Sequence, residues 1–338
     1  MSDRIVDAAL TEALTDGLAC AEAIDEEGDS RWVVALHAAE EIVATIANTN
    51  IRFTSIPWSV TIRPVPIDVW MQHPTLRFIQ HDMFESLRRW MGSEIPRDEP
   101  PIQLTLAAMD AAGIERGLLS AWCTPDGPLI TNDEVAGFVA AAPDRLSGVA
   151  SVDLRRPVAA VWELRRCVNE LGFKALRVVP WVWELPPNHR RYYPLYTACV
   201  ELGIPFCTQV GHTGPRRTSE TGRPIPYLDD VALDFPDLVI VAGHIGYPWT
   251  DEMIALARKY PNVYIDTSAY VARRYPQALV DYMRSTPAHK VMFGSNYPMI
   301  TPERALNDLA SLKLGEDAEQ RFLEGNAQQV FGLAASAP

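Results

Sequence analysis

Histidine, carboxylate and amide side chains recur at the ends of apolar runs in this chain, a placement that suits proton transfer beside a bound carbonyl group. The runs end Asp68-Val-Trp70-Met-Gln72-His73, Leu176-Arg177-Val-Val, Gln209-Val-Gly-His212, Gly243-His244, Tyr264-Ile-Asp266 and Gly-Ser-Asn296-Tyr297-Pro298. His244, helped by His212 or Asp266, is the leading proton-exchange candidate, because imidazoles and perturbed carboxylates titrate where acid–base catalysis operates. Gln72, Gln209 and Asn296 bring neutral amides that can orient a carbonyl oxygen. Arg177 is a lone charge in an apolar run and needs a partner: a substrate carboxylate, or an internal ion pair with Asp68 or Asp266. The Trp181-Val-Trp183 and Tyr192-Tyr193 cluster after the Leu176-Arg177 run, with Trp70, Tyr247, Trp249 and Tyr297, would wall a largely aromatic cavity, which suits an aromatic, lactone or polyketide-like skeleton better than a sugar phosphate. Each residue also has a structural reading. Trp70 and Gln72 can fill a barrel interior, Asn296 can bridge loops, His244 can cap a helix, and His212 can be a solvated loop histidine between glycines.

These residues share a position only if the apolar runs are strands of one sheet. Strand-like runs lie at Val65–Met71, Gly117–Trp122, Ser147–Val152, Ala175–Val179, Pro205–Val210, Leu238–Ala242, Val263–Asp266 and Lys290–Gly294, with helical periodicity between them. Eight short, nearly continuous apolar strands separated by helices predict an α/β fold, a closed (β/α)8 TIM barrel, whose reactive groups gather at the strands' carboxyl ends. Residues 73–101 after the first strand carry Phe78, Phe84 and Trp90 and are long enough to form a lid. Residues 1–50 read as an N-terminal helical extension with apolar faces that need cover, on the barrel or on a second subunit, so a homo-oligomer is possible. Residues 51–338 are assigned to the barrel domain, opening with a β-like stretch over 51–62. No strand is followed by a glycine-rich phosphate-binding motif.

The 338 residues are 48% hydrophobic, enough for a large core, and 30 basic against 43 acidic residues leave a net charge of −13. That balance repels phosphate backbones and anionic lipid surfaces, which argues against nucleic acid and membrane and for a small-molecule substrate. The five cysteines show no CxxC spacing and no early apolar run has signal-peptide length, so reduced thiols and a cytoplasmic location are expected.

Ile67-Asp68, the Leu-Gly-Ile-Pro205 approach to the fifth strand, His244-x-Gly-x-Pro-Trp249, Phe-Gly-Ser-Asn-Tyr-Pro298 and the closing Gly325-Asn-Ala together resemble the amidohydrolase superfamily. The resemblance is to the branch of aminocarboxymuconate-semialdehyde decarboxylase and related decarboxylases, hydratases and lactonases, over most of residues 60–334. It implies a divalent metal held by two histidines ending strand one, a histidine ending strand five and an aspartate ending strand eight. Here those positions are Trp70 and Gln72, then Gln209 or His212, then Asn296, while the strand-six histidine persists as His244. Tryptophan offers a metal no lone pair and neutral amides bind zinc poorly. The expectation is therefore a metal-independent hydrolase or lyase without cofactor, acting on a small cyclic or aromatic carboxylate or lactone. Two alternatives stay open: a relocated metal site built from His73, His212 and His244, and a barrel that binds small molecules without catalysis.

Overall fold

The computed structural model describes residues 64–92, 95–285 and 289–334. The expected extension over 1–50 and the β-like stretch over 51–62 lie outside them. Eight parallel strands neighbour one another in chain order: β1 (Ile67–Met71), β2 (Arg116–Ser120), β3 (Leu146–Ala150), β4 (Ala175–Val178), β5 (Phe206–Gln209), β6 (Ile240–Gly243), β7 (Val263–Asp266) and β8 (Val291–Met292). The last strand returns to the first. Val69 N–H donates to the Phe293 carbonyl and Gln72 N–H to the Tyr297 carbonyl, both at 3.1 Å, and Met71 bridges Tyr297. The sheet thereby closes into the expected (β/α)8 barrel, with helices packed around it.

Alternation along the strands assigns the inner face. Ala175, Cys207, Val241, Tyr264 and Met292 belong to one buried apolar cluster inside the barrel. Two residues further along the same strands come Arg177, Gln209, Gly243, Asp266 and Gly294. The polar set therefore begins one layer above an apolar floor. Asn326 ties the far end together: its Nδ2 donates to the His289 and Val291 carbonyls at 3.0 and 2.9 Å. That explains the Gly325-Asn-Ala signature, because the amide anchors the start of β8.

Local chemistry sets the helices. Thr131 and Glu134 form a reciprocal capping box at the start of Asn132–Ala141, and Gly203 in the left-handed region ends Tyr193–Leu202. After β1 the chain makes two short helices, Leu76–Gln80 and Glu85–Met91. Phe78 and Phe84 are buried with ring centroids 5.1 and 5.8 Å from that of Trp122, which follows β2. Leu87 reaches the loop after β5, where a Cβ on Gly214 would lie 2.6 Å from its Cδ2. A hairpin, Trp122–Thr124 with Gly127–Ile130, was not among the expected elements. Its turn at Pro125-Asp126-Gly127 is a recognisable signal.

Candidate active site at the barrel mouth

Trp70 dominates the centre of the barrel. Between the pairs Asp68–Gly117 and Met71–Leu119, β1 has one residue more than β2. Such a bulge re-aims a side chain, and the Trp70 indole turns inward against two strands that carry glycine. A Cβ at Gly243 would meet Trp70 Cζ3 at 2.6 Å, and one at Gly294 would meet Trp70 Cβ at 3.1 Å. The Arg177 guanidinium lies 3.8 Å from the indole centroid, and its Nη2 and Nη1 donate to the Val69 and Met71 carbonyls at 3.0 and 3.4 Å. Asp68 and Asp266 are buried in the same floor. Asp68 Oδ1 accepts from the Trp70 and Ser295 N–H groups at 3.1 and 3.0 Å, and Asp266 Oδ1 accepts from Ser268 N–H at 2.7 Å. Burial pushes Asp68 up to about 7 and Asp266 up to about 6, and pushes Arg177 down to about 10, which leaves the guanidinium charged at neutral pH.

The amides form the next layer, and two indoles orient them. An indole N–H can only donate, so the side-chain oxygen of each glutamine must face it. Trp122 Nε1 donates to Gln72 Oε1 at 3.4 Å and Trp181 Nε1 to Gln209 Oε1 at 2.8 Å. Gln72 Nε2 then donates to the Tyr297 carbonyl at 2.5 Å and to Asn296 Oδ1 at 3.2 Å, and Gln209 Nε2 reaches the His212 carbonyl at 3.4 Å. With its oxygen engaged by Gln72, Asn296 has its amide N–H groups left to offer a ligand. Its φ of 68° is unusual for a residue with a side chain.

His244 follows β6 in a strained turn, with φ of 71° at His244 and 52° at Ile245. Its ring centroid is 5.2 Å from that of Trp70, and its Nδ1 lies 2.6 Å from Ser268 Oγ. Burial, then the positive charges of Arg177 and His212, lowers its pKa to about 3, so the imidazole is neutral at physiological pH. His212 is exposed and hangs over the same end. Gly211, with φ of 84°, lets its loop approach Tyr247 closely enough for His212 N–H to donate to the Tyr247 carbonyl at 2.6 Å.

The barrel thus brings together Trp70, Gln72, Arg177, Gln209, His212, His244, Asp266 and Asn296 at one end. Several expected roles change. Arg177 is 1% exposed and committed to β1 carbonyls and the indole, so it braces the floor and does not present itself to a substrate carboxylate. Asp266 is fully buried and fixes the turn after its own strand by accepting the Ser268 N–H, so it does not itself reach a substrate. Tyr297 contributes its carbonyl to the site, while its phenol points toward Thr105 on the outer helix Ile102–Ala111. His73, on the opposite strand face from Gln72, is engaged at both nitrogens: Nε2 with the Pro100 carbonyl and Nδ1 with Thr105 Oγ1, each at 2.8 Å. It faces away from the barrel, which removes the relocated three-histidine metal site. Trp181 lies at the mouth as expected, through its bond to Gln209, while Trp122 and Ser268 are neighbours that sequence reasoning did not assign to the site. A separate cleft of about 360 Å³ runs past Cys123, Asn132, Ser151 and Glu163. Asn132 ties the Ser151 carbonyl to Glu163 across it, and burial pushes the Cys123 thiol up to about 11, so the thiol is unreactive at neutral pH.

A closed (β/α)8 barrel with its polar residues collected at the strands' carboxyl ends has its site where barrel enzymes carry theirs. The chain belongs to the amidohydrolase family, whose pattern matches residues 67–333. Among characterised proteins it is similar to the gamma-resorcylate decarboxylase of Polaromonas sp., 26% identical over 251 residues, covering 60% of this chain and 75% of the relative. Among solved structures it is similar to an uncharacterised TIM-barrel protein from Bordetella bronchiseptica, with TM-score 0.68, 27% identity and coverage of 79% and 98%. It also shares the fold of a dihydroxybenzoic acid decarboxylase from Polaromonas sp. with bound manganese and 2-nitroresorcinol, with TM-score 0.56, 20% identity and coverage of 81% and 98%.

The residues of this chain do not fit such a metal. The Trp70 indole fills the centre where ligands would converge, and a guanidinium stacks beneath it. Among the described residues no three His, Cys, Asp or Glu side chains are grouped to hold a cation.

Proposed function

We propose that the chain is a metal-free lyase that decarboxylates a small aromatic acid bearing a hydroxyl group beside the carboxylate. The observation that carries this reading is the Trp70 indole at the barrel centre with neutral His244 as the titratable group next to it. Without a metal, the substrate must supply its own activation. An ortho hydroxyl does so: its proton passes to His244, the bound carboxylate offsetting the burial that otherwise disfavours the imidazolium, and the negative charge raises electron density at the carbon bearing the carboxylate. The imidazolium returns the proton to that carbon. The carbon–carbon bond then breaks, its electron pair restores the aromatic phenolate, and CO2 leaves; solvent reprotonates the phenolate. In this reading the amides of Gln209 and Asn296 steady the oxygen on which charge develops. Lactone opening would use the same base on water, but the decarboxylase relative favours carbon–carbon cleavage.

The test uses protein purified with neither added metal nor chelator, assayed for metal content and for CO2 release from a panel of ortho-hydroxybenzoates. Less than about one tenth of an equivalent of transition metal is expected, from the ligand count, with turnover unchanged by chelator. Stoichiometric manganese or zinc, with activity lost to chelator and restored by metal, would overturn metal independence. Inertness of the whole panel would overturn the substrate class.

A further inference from the structure

We propose that Trp122 is a positioning residue that sets the polarity of the barrel mouth: through Gln72 it turns the Asn296 amide so that N–H groups, and not the oxygen, meet the ligand. The mouth thereby selects a carboxylate over a carboxamide of the same shape. The choice of a carboxylate as ligand rests on the proposed function.

The relay is a chain of hydrogen bonds whose direction has one solution. An indole N–H can only donate and a main-chain carbonyl can only accept. Gln72 lies between one of each: Trp122 Nε1 is 3.4 Å from its Oε1, and its Nε2 is 2.5 Å from the Tyr297 carbonyl oxygen. Turning the Gln72 amide over would set N–H against N–H at one end and oxygen against oxygen at the other, in a fully buried residue. The second Nε2 hydrogen of Gln72 serves Asn296, whose Oδ1 lies 3.2 Å away. That fixes Asn296 in turn, because its own NH2 in that place would face another NH2. Trp122 itself is held by the Phe78 and Phe84 rings, which meet it edge-on, and by Trp181, whose ring centroid is 6.3 Å from its own.

Gln209 is set in the same way. Trp181 Nε1 donates to its Oε1 at 2.8 Å, and its Nε2 spends one hydrogen on the His212 carbonyl at 3.4 Å, which leaves one more. The amide layer therefore offers hydrogens and no oxygen. A carboxylate accepts at both of its oxygens, whereas a carboxamide that meets both amides sets its own NH2 against one of them. Trp122 lies one residue removed from Asn296 in this chain of bonds, so it acts on the ligand only through the direction it imposes.

Benzoate and benzamide are the probes, since both lack the ortho hydroxyl and bind without reacting. Each is titrated by calorimetry into the full chain at neutral pH. The unsubstituted protein should favour benzoate by about tenfold, the worth of one hydrogen bond to a charged group. Replacing Trp122 by the benzothienyl analogue of tryptophan, which puts sulfur in place of the N–H and keeps the ring's shape, frees Gln72 and then Asn296 to turn. The preference should narrow to about threefold or less. Gln72→Met should narrow it likewise with Trp122 in place, and carries the comparison should the first variant not fold. Equal binding of the two probes by the unsubstituted protein, binding of neither, or a preference that survives loss of the N–H overturns the inference. Packing alone as the role of Trp122 predicts the last of these, because the analogue keeps the ring. Ortho-hydroxybenzoates that bind without reacting would sink the proposed decarboxylation and leave the relay standing.

Discussion

If the Trp70 indole fills the barrel centre, adding one methyl group at Gly243 should be costly, and costly because of Trp70. Gly243 has φ of −77° and ψ of 156°, a conformation that alanine adopts freely, so Gly243→Ala carries no backbone penalty. Its effect is steric: the new Cβ would lie 2.6 Å from Trp70 Cζ3 and 2.9 Å from Asp266 Oδ2. Overpacking of this kind costs about 1–3 kcal/mol. In a barrel of this size that is roughly 2–4 °C of melting temperature per kcal/mol. Trp70→Leu removes the ring atoms responsible for the closer clash, so the same Gly243→Ala change made on that background should cost less than half as much. The coupling in the resulting double-mutant cycle should be about 1–2 kcal/mol, within the range for residues in contact. Chemical denaturation of the four proteins measures it. Equal costs of Gly243→Ala with and without the indole would show that Trp70 does not occupy this space, and the argument against a central metal would fall with it.

Two further outcomes follow from the site. Asp68 has a folded pKa of about 7, raised above its ordinary 3.8 by burial, so its contribution to stability is fully present below about pH 3.8 and is lost as pH rises through 7. Asp68→Asn keeps an oxygen for the Trp70 and Ser295 N–H groups and cannot titrate, so between pH 4 and 7 it should gain on the unsubstituted protein. The ceiling is about 4 kcal/mol, from roughly three pKa units at 1.36 kcal/mol each. A stability difference independent of pH would refute the burial argument. His244→Ala should lower the decarboxylation rate roughly a hundredfold or more while leaving the melting temperature within a few degrees. A smaller loss, measured at saturating substrate, would move the proton transfer to another group.

The fold was legible because each strand is short, almost wholly apolar and bounded by helical periodicity, which leaves few arrangements besides a covered parallel barrel. The polar residues at the strand ends were legible for the same reason, since the barrel's geometry says where reactive groups must lie. Side-chain direction was the harder part. His73 follows Gln72 and alternation sends it outward, to Thr105 and Pro100, so the three-histidine alternative failed on a rule visible in the sequence. Tyr297 was read as a wall of the aromatic cavity, but closure of β8 on β1 pairs it with Met71, and its phenol lies toward Thr105 on an outer helix. Trp181 was legible as part of an aromatic cluster after the fourth strand, but its bond to Gln209 was not, and the contacts of Trp122 and Ser268 had no sequence signal, because a donor-only indole or a small hydroxyl acquires meaning only from the atom opposite it.

The proposed metal independence also depends on how these residues sit together in space. At the level of sequence, Trp70, Gln72, Gln209 and Asn296 look like four separate failures to supply a ligand, each tolerable on its own. In space they are coupled. The indole at position 70 needs glycine at 243 and 294 and the bulge in β1, and the Arg177 guanidinium that stacks on it is balanced by carboxylates that burial holds near neutrality. A cation placed there would meet a fixed positive charge 3.8 Å from the indole centroid in a region of low dielectric, where like charges repel strongly. A single histidine introduced at position 70 would remove the indole but leave Arg177 in place, so under the proposed function the chemistry falls to what lies above that floor: His244 and the amides oriented by two tryptophans.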